Sequence, residues 1–180
     1  PVINPALANW RDELAASAAD PRVRAVRLLP RYHNYRLNAP ALQEFTAELL
    51  RRRLRLIVQV RLIDERHEFH AMKLKPVPVA ELGAFLTRHP KLSVLASGLL
   101  RSEILPLVTR HPQLLADLSF AEWHDTMPHL LAKVPARQLV FASHTPFLVT
   151  AAARAKLDTA KLGGIRQPAI AAGNLARFLG

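Results

Sequence analysis

The chain has 180 residues, half of them hydrophobic and none of them cysteine, and its 25 Lys and Arg against 14 Asp and Glu give a formal net charge of +11. This size and composition predict one folded domain over residues 1–180 and exclude a disordered chain, a disulfide framework and a cysteine nucleophile. No apolar run approaches the roughly 18 residues of a membrane span, and no signal peptide is visible. We therefore expect a cytoplasmic protein with no membrane partner.

The predicted elements alternate along the chain. Prolines at 21, 90, 112 and 135 each end a helical stretch and precede a short apolar run, because proline disfavours helix at the residue before it. The predicted strands are Val23–Leu29, Leu54–Leu62, Leu92–Ala96, Leu114–Leu118 and Leu139–Ala142, with Val2-Ile3 as the remnant of an earlier strand. The predicted helices are Ala6–Ala18, Pro40–Arg53, Val79–Arg88, Ser102–Arg110, Ala121–Lys133 and Phe147–Lys156, and a last helix capped by Asn174.

Strand and helix alternation predicts an α/β fold with parallel strands. The strands are nearly continuous apolar runs, which is typical of strands covered on both faces. A doubly wound sheet would need a glycine-rich phosphate loop, and the six glycines form none. We therefore predict a partial (β/α) TIM-type barrel of about six βα units. Because the chain begins with Pro1 and not Met, we expect a processed or partial chain.

In such a barrel the active site lies at the C-terminal ends of the strands. His33, His67, His70, His124 and His144 follow predicted strands and are placed at that rim. Two further histidines, His89 and His111, precede strands and are placed at the opposite, structural face.

Polar residues at the same rim complete the candidate set. Asp64 and Arg66 follow the second predicted strand, where a site and a salt-bridged loop are equally good interpretations. Tyr32 adjoins His33, and Ser97 ends the third strand. Asp117 lies in an apolar strand, where an unpaired charge is costly, so we expect it to pair with an arginine or to lie near the rim.

The basic residues are scattered except for one cluster at Arg51, Arg52, Arg53 and Arg55. No stacking aromatic residues are interleaved there, so we interpret the cluster as a solvated helix end favoured by the helix dipole. A basic nucleic-acid-binding protein is accordingly the most remote function considered.

Two end motifs resemble a known family. Residues 137–147 read Arg-Gln-Leu-Val-Phe-Ala-Ser-His-Thr-Pro-Phe, and residues 169–180 read Ala-Ile-Ala-Ala-Gly-Asn-Leu-Ala-Arg-Phe-Leu-Gly. Together they resemble the C-terminus of the amidohydrolase-related family of TIM-barrel, metal-dependent hydrolases and decarboxylases. Val23–Pro30 also resembles the family's fourth strand. The resemblance implies that the chain is the C-terminal three quarters of a barrel, without the first strand that carries a His-x-His metal pair.

The chain departs from this family at its metal positions. Where the family has a histidine after the fifth strand, one after the sixth and an aspartate after the eighth, this chain has Arg61, Ser97 and His144. Arginine stays a cation in proteins and cannot ligate a metal. Three explanations stay open: a rewired metal site for zinc, manganese or iron that uses His33, Asp64, His70 and His144; metal-free chemistry; or a barrel that binds a ligand without turnover.

The first of the functions considered is hydrolysis or decarboxylation of a small carboxylate-bearing compound. His144 is the predicted base or metal ligand, His33 the acid or ligand, and Asp64 a further catalytic candidate. Arg61, with Arg66, Tyr32 and Ser97, is predicted to bind the anionic substrate. The alternative is a non-catalytic ligand-binding barrel. The open edges of a partial barrel also predict a homo-oligomer.

Overall fold

The computed structural model describes residues 1–64, 66 and 73–180. In this part of the chain, five strands form one parallel sheet in the order β1-β2-β3-β4-β5. The strands are β1 Ala25–Leu28, β2 Arg55–Gln59, β3 Val94–Ser97, β4 Leu114–Asp117 and β5 Leu139–Val140. Val2 forms a parallel bridge to Arg27 of β1, so the predicted remnant of an earlier strand is present.

Helices separate the strands as predicted. They are α1 Trp10–Ala19, α2 Ala41–Arg51, α3 Val79–Arg88, α4 Arg101–Val108, α5 Thr126–Leu131, α6 Thr150–Asp158, α7 Arg166–Pro168 and α8 Asn174–Leu179, with a π-helical segment at Ala169–Gly173. Each strand pairs with the next one along the chain. This sequential order is that of a barrel, since a doubly wound sheet reverses its strand order at a switch point.

The two faces of the sheet have different coverings. On the outer face, Val26, Leu56, Val94 and Leu114 lie in register and pack into the main hydrophobic core beneath the helices. On the inner face, Leu95 and Val140 pack against Phe178 of α8, with Ile57 and Leu115 beside them. The inner face is therefore apolar under α8 and becomes polar only toward the C-terminal ends of the strands.

Several predicted boundaries are wrong. The helix predicted at Ala121–Lys133 begins at Thr126, because the chain turns first through Asp125, whose φ is 53°. Asn174 is not an N-cap, since the helical backbone runs through it. Its buried side-chain amide donates to the carbonyls of Ala136 and Leu139, both at 2.7 Å. Asn174 thus ties the last helix to the start of β5.

Among the described residues, no helix combines the length and apolarity needed to cross a bilayer.

Candidate functional site

A cavity of about 440 Å³ opens at the C-terminal ends of the strands, and we call it the rim cavity. Each strand places one polar or rim residue in its wall. These residues are Arg27 of β1, Gln59 of β2, Ser97 of β3, Asp117 of β4 and His144 beyond β5. Ile57, Leu95, Val140 and Leu175 form its apolar floor above α8. The rim cavity therefore combines an apolar base with a polar mouth.

Asp117 is the buried carboxylate of this cavity, with 3% of its surface exposed. The hydroxyl of Ser97 donates to it at 2.5 Å, and the hydroxyl of Ser119 donates at 2.7 Å. The backbone amides of Gly98 and Ser119 donate to the same carboxylate, each at 3.2 Å. Four donors satisfy a buried charge without a cation. The prediction that Asp117 lies near the rim is confirmed, and its partners are hydroxyls and amides and not an arginine.

Lys156 of α6 supports this arrangement from behind. Its ammonium donates to the carbonyls of Leu118 and Ser119 at 2.7 and 3.1 Å, which holds the turn that carries Ser119. Burial lowers the pKa of this amine, and the nearby Glu122 and Asp117 oppose that shift. Lys156 is therefore a positioning residue, since it holds the loop after β4 that carries Ser119.

Arg27 supplies the positive charge of the rim cavity. It lies half-buried on the inner face of β1, and its guanidinium donates to the side-chain oxygen of Gln59 at 3.1 Å. The amide nitrogen of Gln59 donates in turn to the Arg61 carbonyl at 2.7 Å, which fixes the orientation of the Gln59 side chain. Within the described part of the chain, no carboxylate pairs with Arg27. Its guanidinium is thus held in place and has donors left for an anion.

His144 borders the rim cavity where β5 ends. Its Nε2 donates to the carbonyl of Leu62 at 2.7 Å, since a carbonyl can only accept. The neutral ring then carries its lone pair on Nδ1. Phe120 packs edge-on to the ring with the centroids 4.9 Å apart, and Phe147 lies on another side at 5.6 Å. The hydrogen bond to Leu62 and the two aromatic rings therefore hold the imidazole in one orientation.

Arg61, Asp64 and Arg66 lie around a neighbouring cavity of about 340 Å³, the side cavity. Arg61 is 5% exposed and donates to both oxygens of Glu103 at 3.1 and 3.2 Å, and to the Gly98 carbonyl at 2.7 Å. Gly98 has a φ of 86°, and a Cβ there would lie 2.6 Å from the Arg61 carbonyl oxygen. The turn after β3 thus needs glycine, and the Arg61 guanidinium is already held by internal acceptors.

Arg66 donates to the carboxylates of Asp64 and Glu122, and these hydrogen bonds raise its pKa. Asp64 accepts from both the backbone amide and the guanidinium of Arg66. Of the two interpretations that the sequence left open, the geometry supports the salt-bridged loop. The catalytic role predicted for Asp64 and the substrate-binding roles predicted for Arg61 and Arg66 stay predictions.

His33 and Tyr32 lie in the loop after β1 and do not line the rim cavity. Tyr32 is 55% exposed. Nδ1 of His33 and the hydroxyl of Tyr35 are buried and have no hydrogen-bond partner among the residues that the structure describes. Burial lowers the pKa of His33 and raises that of Tyr35. His70, the other predicted metal ligand, lies outside the described residues, as does His67.

The predicted site thus separates into three parts. Ser97 and His144 meet in the rim cavity, Arg61, Asp64 and Arg66 surround the side cavity, and His33 and Tyr32 occupy a third loop. Sequence reasoning missed Arg27 and Gln59. A signal was present, because each is the polar member of an alternating strand whose neighbours Val26, Leu28, Val58 and Val60 face the core.

A divalent metal does not fit the described side chains. In residues 1–64, 66 and 73–180, no three His, Asp or Glu groups converge as a metal site. Asp117 has its oxygens engaged by four protein donors, and Arg61 and Ser97 stand at two positions where the sequence resemblance implies ligands. The zinc, manganese or iron site remains a prediction.

No protein-family model and no curated protein matches the chain. Solved structures do. The 5-carboxyvanillate decarboxylase of Sphingomonas paucimobilis superposes with a TM-score of 0.74 at 14% identity, over 99% of this chain and 65% of that one. The 2,6-dihydroxybenzoate decarboxylase of Rhizobium gives 0.72 at 14%, over 99% and 69%. A dihydroxybenzoic acid decarboxylase from Polaromonas, solved with manganese and the inhibitor 2-nitroresorcinol, gives 0.57 at 12%, over 81% and 55%.

The chain shares the fold of these decarboxylases and of a TIM-barrel protein from Bordetella bronchiseptica, which gives a TM-score of 0.73 at 16% identity over 99% of this chain and 64% of that one. This confirms the predicted barrel class, which is also the fold that the resemblance to the amidohydrolase-related family implied. The chain spans 65% of the length of the Sphingomonas enzyme. At 12–16% identity the structural likeness establishes the fold of the chain and not its activity.

Proposed function

We propose that the rim cavity binds a small carboxylate-bearing compound and that the chain takes part in its decarboxylation or hydrolysis. The observation that carries this proposal is Arg27, a fixed guanidinium without a carboxylate partner among the described residues, facing the same cavity as His144. Arginine binds carboxylates through two parallel hydrogen bonds. The apolar floor at Ile57, Leu95 and Val140 suits a ring or short chain attached to that carboxylate.

The roles of the side chains follow from this placement. Arg27 anchors the carboxylate, and Gln59 holds the guanidinium in position. A decarboxylation breaks the bond to the carboxyl carbon, releases CO₂ and requires a proton on the carbon left behind, whereas a hydrolysis requires a proton to be taken from water. His144 is the group in the rim cavity whose residue type exchanges protons near neutral pH, with Nδ1 as the exchanging atom.

The comparisons support decarboxylation over hydrolysis as the first reaction to test. Four of the similar structures are named as decarboxylases of 5-carboxyvanillate or dihydroxybenzoates, which are small aromatic carboxylates. A cavity of about 440 Å³ is of the size that holds a single substituted ring. No step of the proposal runs through a metal, because the described side chains do not fit one.

Ligand binding without turnover is the second candidate. It is favoured by Arg61 and Ser97 standing where the resemblance implies metal ligands, and by the internal ion pair that holds Arg61. The two candidates share the rim cavity and Arg27. They differ only in whether CO₂ or a hydrolysis product appears.

The test is release of CO₂ from 2,6-dihydroxybenzoate and 5-carboxyvanillate, measured with added manganese and, separately, with a chelator. The proposal expects turnover that His144→Gln lowers by about a hundredfold or more, the scale of a lost general acid or base. Arg110→Gln, an exposed substitution outside the rim cavity, is the control. Binding of these compounds without turnover would favour the second candidate. If the protein neither binds nor turns over these compounds, both candidate functions are contradicted.

A further inference from the structure

A second cavity with a pronounced charge lies at the opposite end of the sheet. It measures about 310 Å³, and Arg24, Arg53, Arg55 and Lys91 line it together with Ser93; we call it the basal cavity. These residues come from three places in the chain: the approach to β1, the turn between α2 and β2, and the approach to β3. The fold therefore brings Arg24 and Lys91, which are distant in sequence, beside Arg53 and Arg55 of the arginine cluster.

Of the residues that the structure describes, no acidic side chain lines the basal cavity, whose wall also includes Leu179 and Gly180. The rim cavity contains Asp117 and the side cavity contains Asp64 and Glu122. Elsewhere in the described part of the chain, eight arginines form ion pairs with acidic side chains, including Arg51 and Arg52, which both pair with Glu48. The interpretation of the arginine cluster as a helix end thus suits Arg51 and Arg52, whereas Arg53 and Arg55 turn into the basal cavity.

Few hydrogen bonds or ion pairs among the described residues offset the positive charge of the four basic side chains that line the basal cavity. Arg55 is half-buried and donates to the carbonyl of Phe178 at 3.1 Å, which holds its guanidinium in the wall. Arg24, Arg53 and Lys91 are exposed, and no ion pair of the described residues involves them. Like charges gathered in one concave surface repel one another and attract counter-ions, and a multivalent anion relieves that repulsion most effectively.

We propose that the basal cavity binds a small anion carrying two or more phosphate groups. Guanidinium groups match phosphate geometry through paired hydrogen bonds, and a lysine adds a point charge. The concave shape and the limited volume favour a compact anion over a nucleic-acid strand. None of the described residues that line the cavity is aromatic, so the lining offers no ring for base stacking. This site is separate from the rim cavity and does not depend on the function proposed there.

The test is calorimetric titration of the protein with inorganic pyrophosphate. Binding is expected at about 50 mM NaCl and is expected to weaken by about tenfold or more at about 500 mM, because salt screens exposed charges. The double variant Arg24→Gln/Lys91→Gln is expected to bind about tenfold more weakly or worse. Arg53→Asn, which keeps a residue type tolerated at the φ of 57° found there, is expected to act in the same direction.

The matched control is Arg110→Gln/Lys133→Gln, which removes the same charge from exposed positions outside the cavity and is expected to bind as the wild type does. Arg27→Gln separates the two sites, since it is expected to leave pyrophosphate binding unchanged. Absence of binding, or equal weakening by the control and the cavity variants, would overturn the proposal. Tighter binding of a short single-stranded RNA than of pyrophosphate would also overturn it, in favour of a nucleic-acid surface.

Discussion

At the scale of single residues, the hydrogen-bond donors around Asp117 determine how costly its buried carboxylate is. A charge at the end of an apolar strand is costly unless it is satisfied, and here two hydroxyls and two backbone amides satisfy it. The sequence predicted that Asp117 pairs with an arginine or lies near the rim, because an unpaired charge in an apolar strand is costly. It could not predict the partners, since Ser97 lies 20 residues away on another strand.

Removal of this carboxylate is expected to destabilise the fold. Asp117→Ala leaves four buried donors without an acceptor and should lower the free energy of unfolding by about 3 kcal/mol or more. Asp117→Asn keeps one oxygen acceptor and should cost clearly less. Urea denaturation followed by circular dichroism measures both. Equal losses for the two variants would show that the donors do not depend on an acceptor at this position.

Burial of His33 predicts a pH dependence of stability. Its pKa is lowered in the folded state, so the unfolded state binds the proton more readily and folding stability falls as pH is lowered through the ordinary histidine range near about 6.5. His89 and His111 shift in the same direction through burial, aided by Arg88 and Arg110 respectively. Unfolding free energies measured between about pH 7.5 and 5.5 should decrease, and His33→Gln should reduce the slope. A variant with the wild-type slope would contradict this reasoning.

At the scale of elements, the sequence predicted most of the fold because its signals are local. Proline positions and apolar runs placed all five strands and the helices between them. The starts of α5 and α6 were predicted too early in the chain. Turns at Asp125 and His144 precede these helices, and the residues of the turns have a composition that also suits a helix. The role of Asn174 was missed because its partners, Ala136 and Leu139, are distant in sequence.

The start of α4 is joined to the end of β2 through Glu103. Its carboxylate accepts from the backbone amide of Leu100 at 2.8 Å and from the guanidinium of Arg61. Glu103→Ala removes one carboxylate from a guanidinium that is 5% exposed and should lower the free energy of unfolding by about 3 kcal/mol. Arg61→Met should cost less, and the double variant should resemble Arg61→Met. Additive losses, measured by urea denaturation, would contradict the pairing.

The same variants decide the role predicted for Arg61. If the ion pair is its main role, Arg61→Met should change stability and leave the affinity for small carboxylates within about twofold. A loss of affinity of tenfold or more, measured by calorimetry on the folded variant, would restore Arg61 as a substrate anchor.

At the scale of the whole molecule, α8 covers the inner face of the sheet. The alternation of elements predicted a barrel-type winding, and the sequential strand order agrees. Sequence could not show that the last helix would cover the inner face, since an apolar helix fits either face of a sheet. Phe178 packs against Leu95 and Val140, two of the residues that form the floor of the rim cavity.

Phe178→Ala should therefore affect stability and site together. The loss of a buried aromatic ring is expected to cost about 3 kcal/mol or more. It should also weaken carboxylate binding, because the floor of the rim cavity loses its support. Leu7→Ala, at a half-exposed position near α1, is the control. A Phe178→Ala protein as stable as the wild type would show that α8 does not pack on the inner face in solution.

Carboxylate recognition by Arg27 is the basis of the function proposed for the rim cavity. The most direct measurement is calorimetric titration of the wild type and Arg27→Gln with 2,6-dihydroxybenzoate and with resorcinol, the same ring without the carboxylate. We expect the wild type to bind 2,6-dihydroxybenzoate at least about tenfold more tightly than resorcinol, and we expect Arg27→Gln to remove this preference. Equal affinities in the wild type, or a preference that survives in Arg27→Gln, would contradict carboxylate recognition by Arg27.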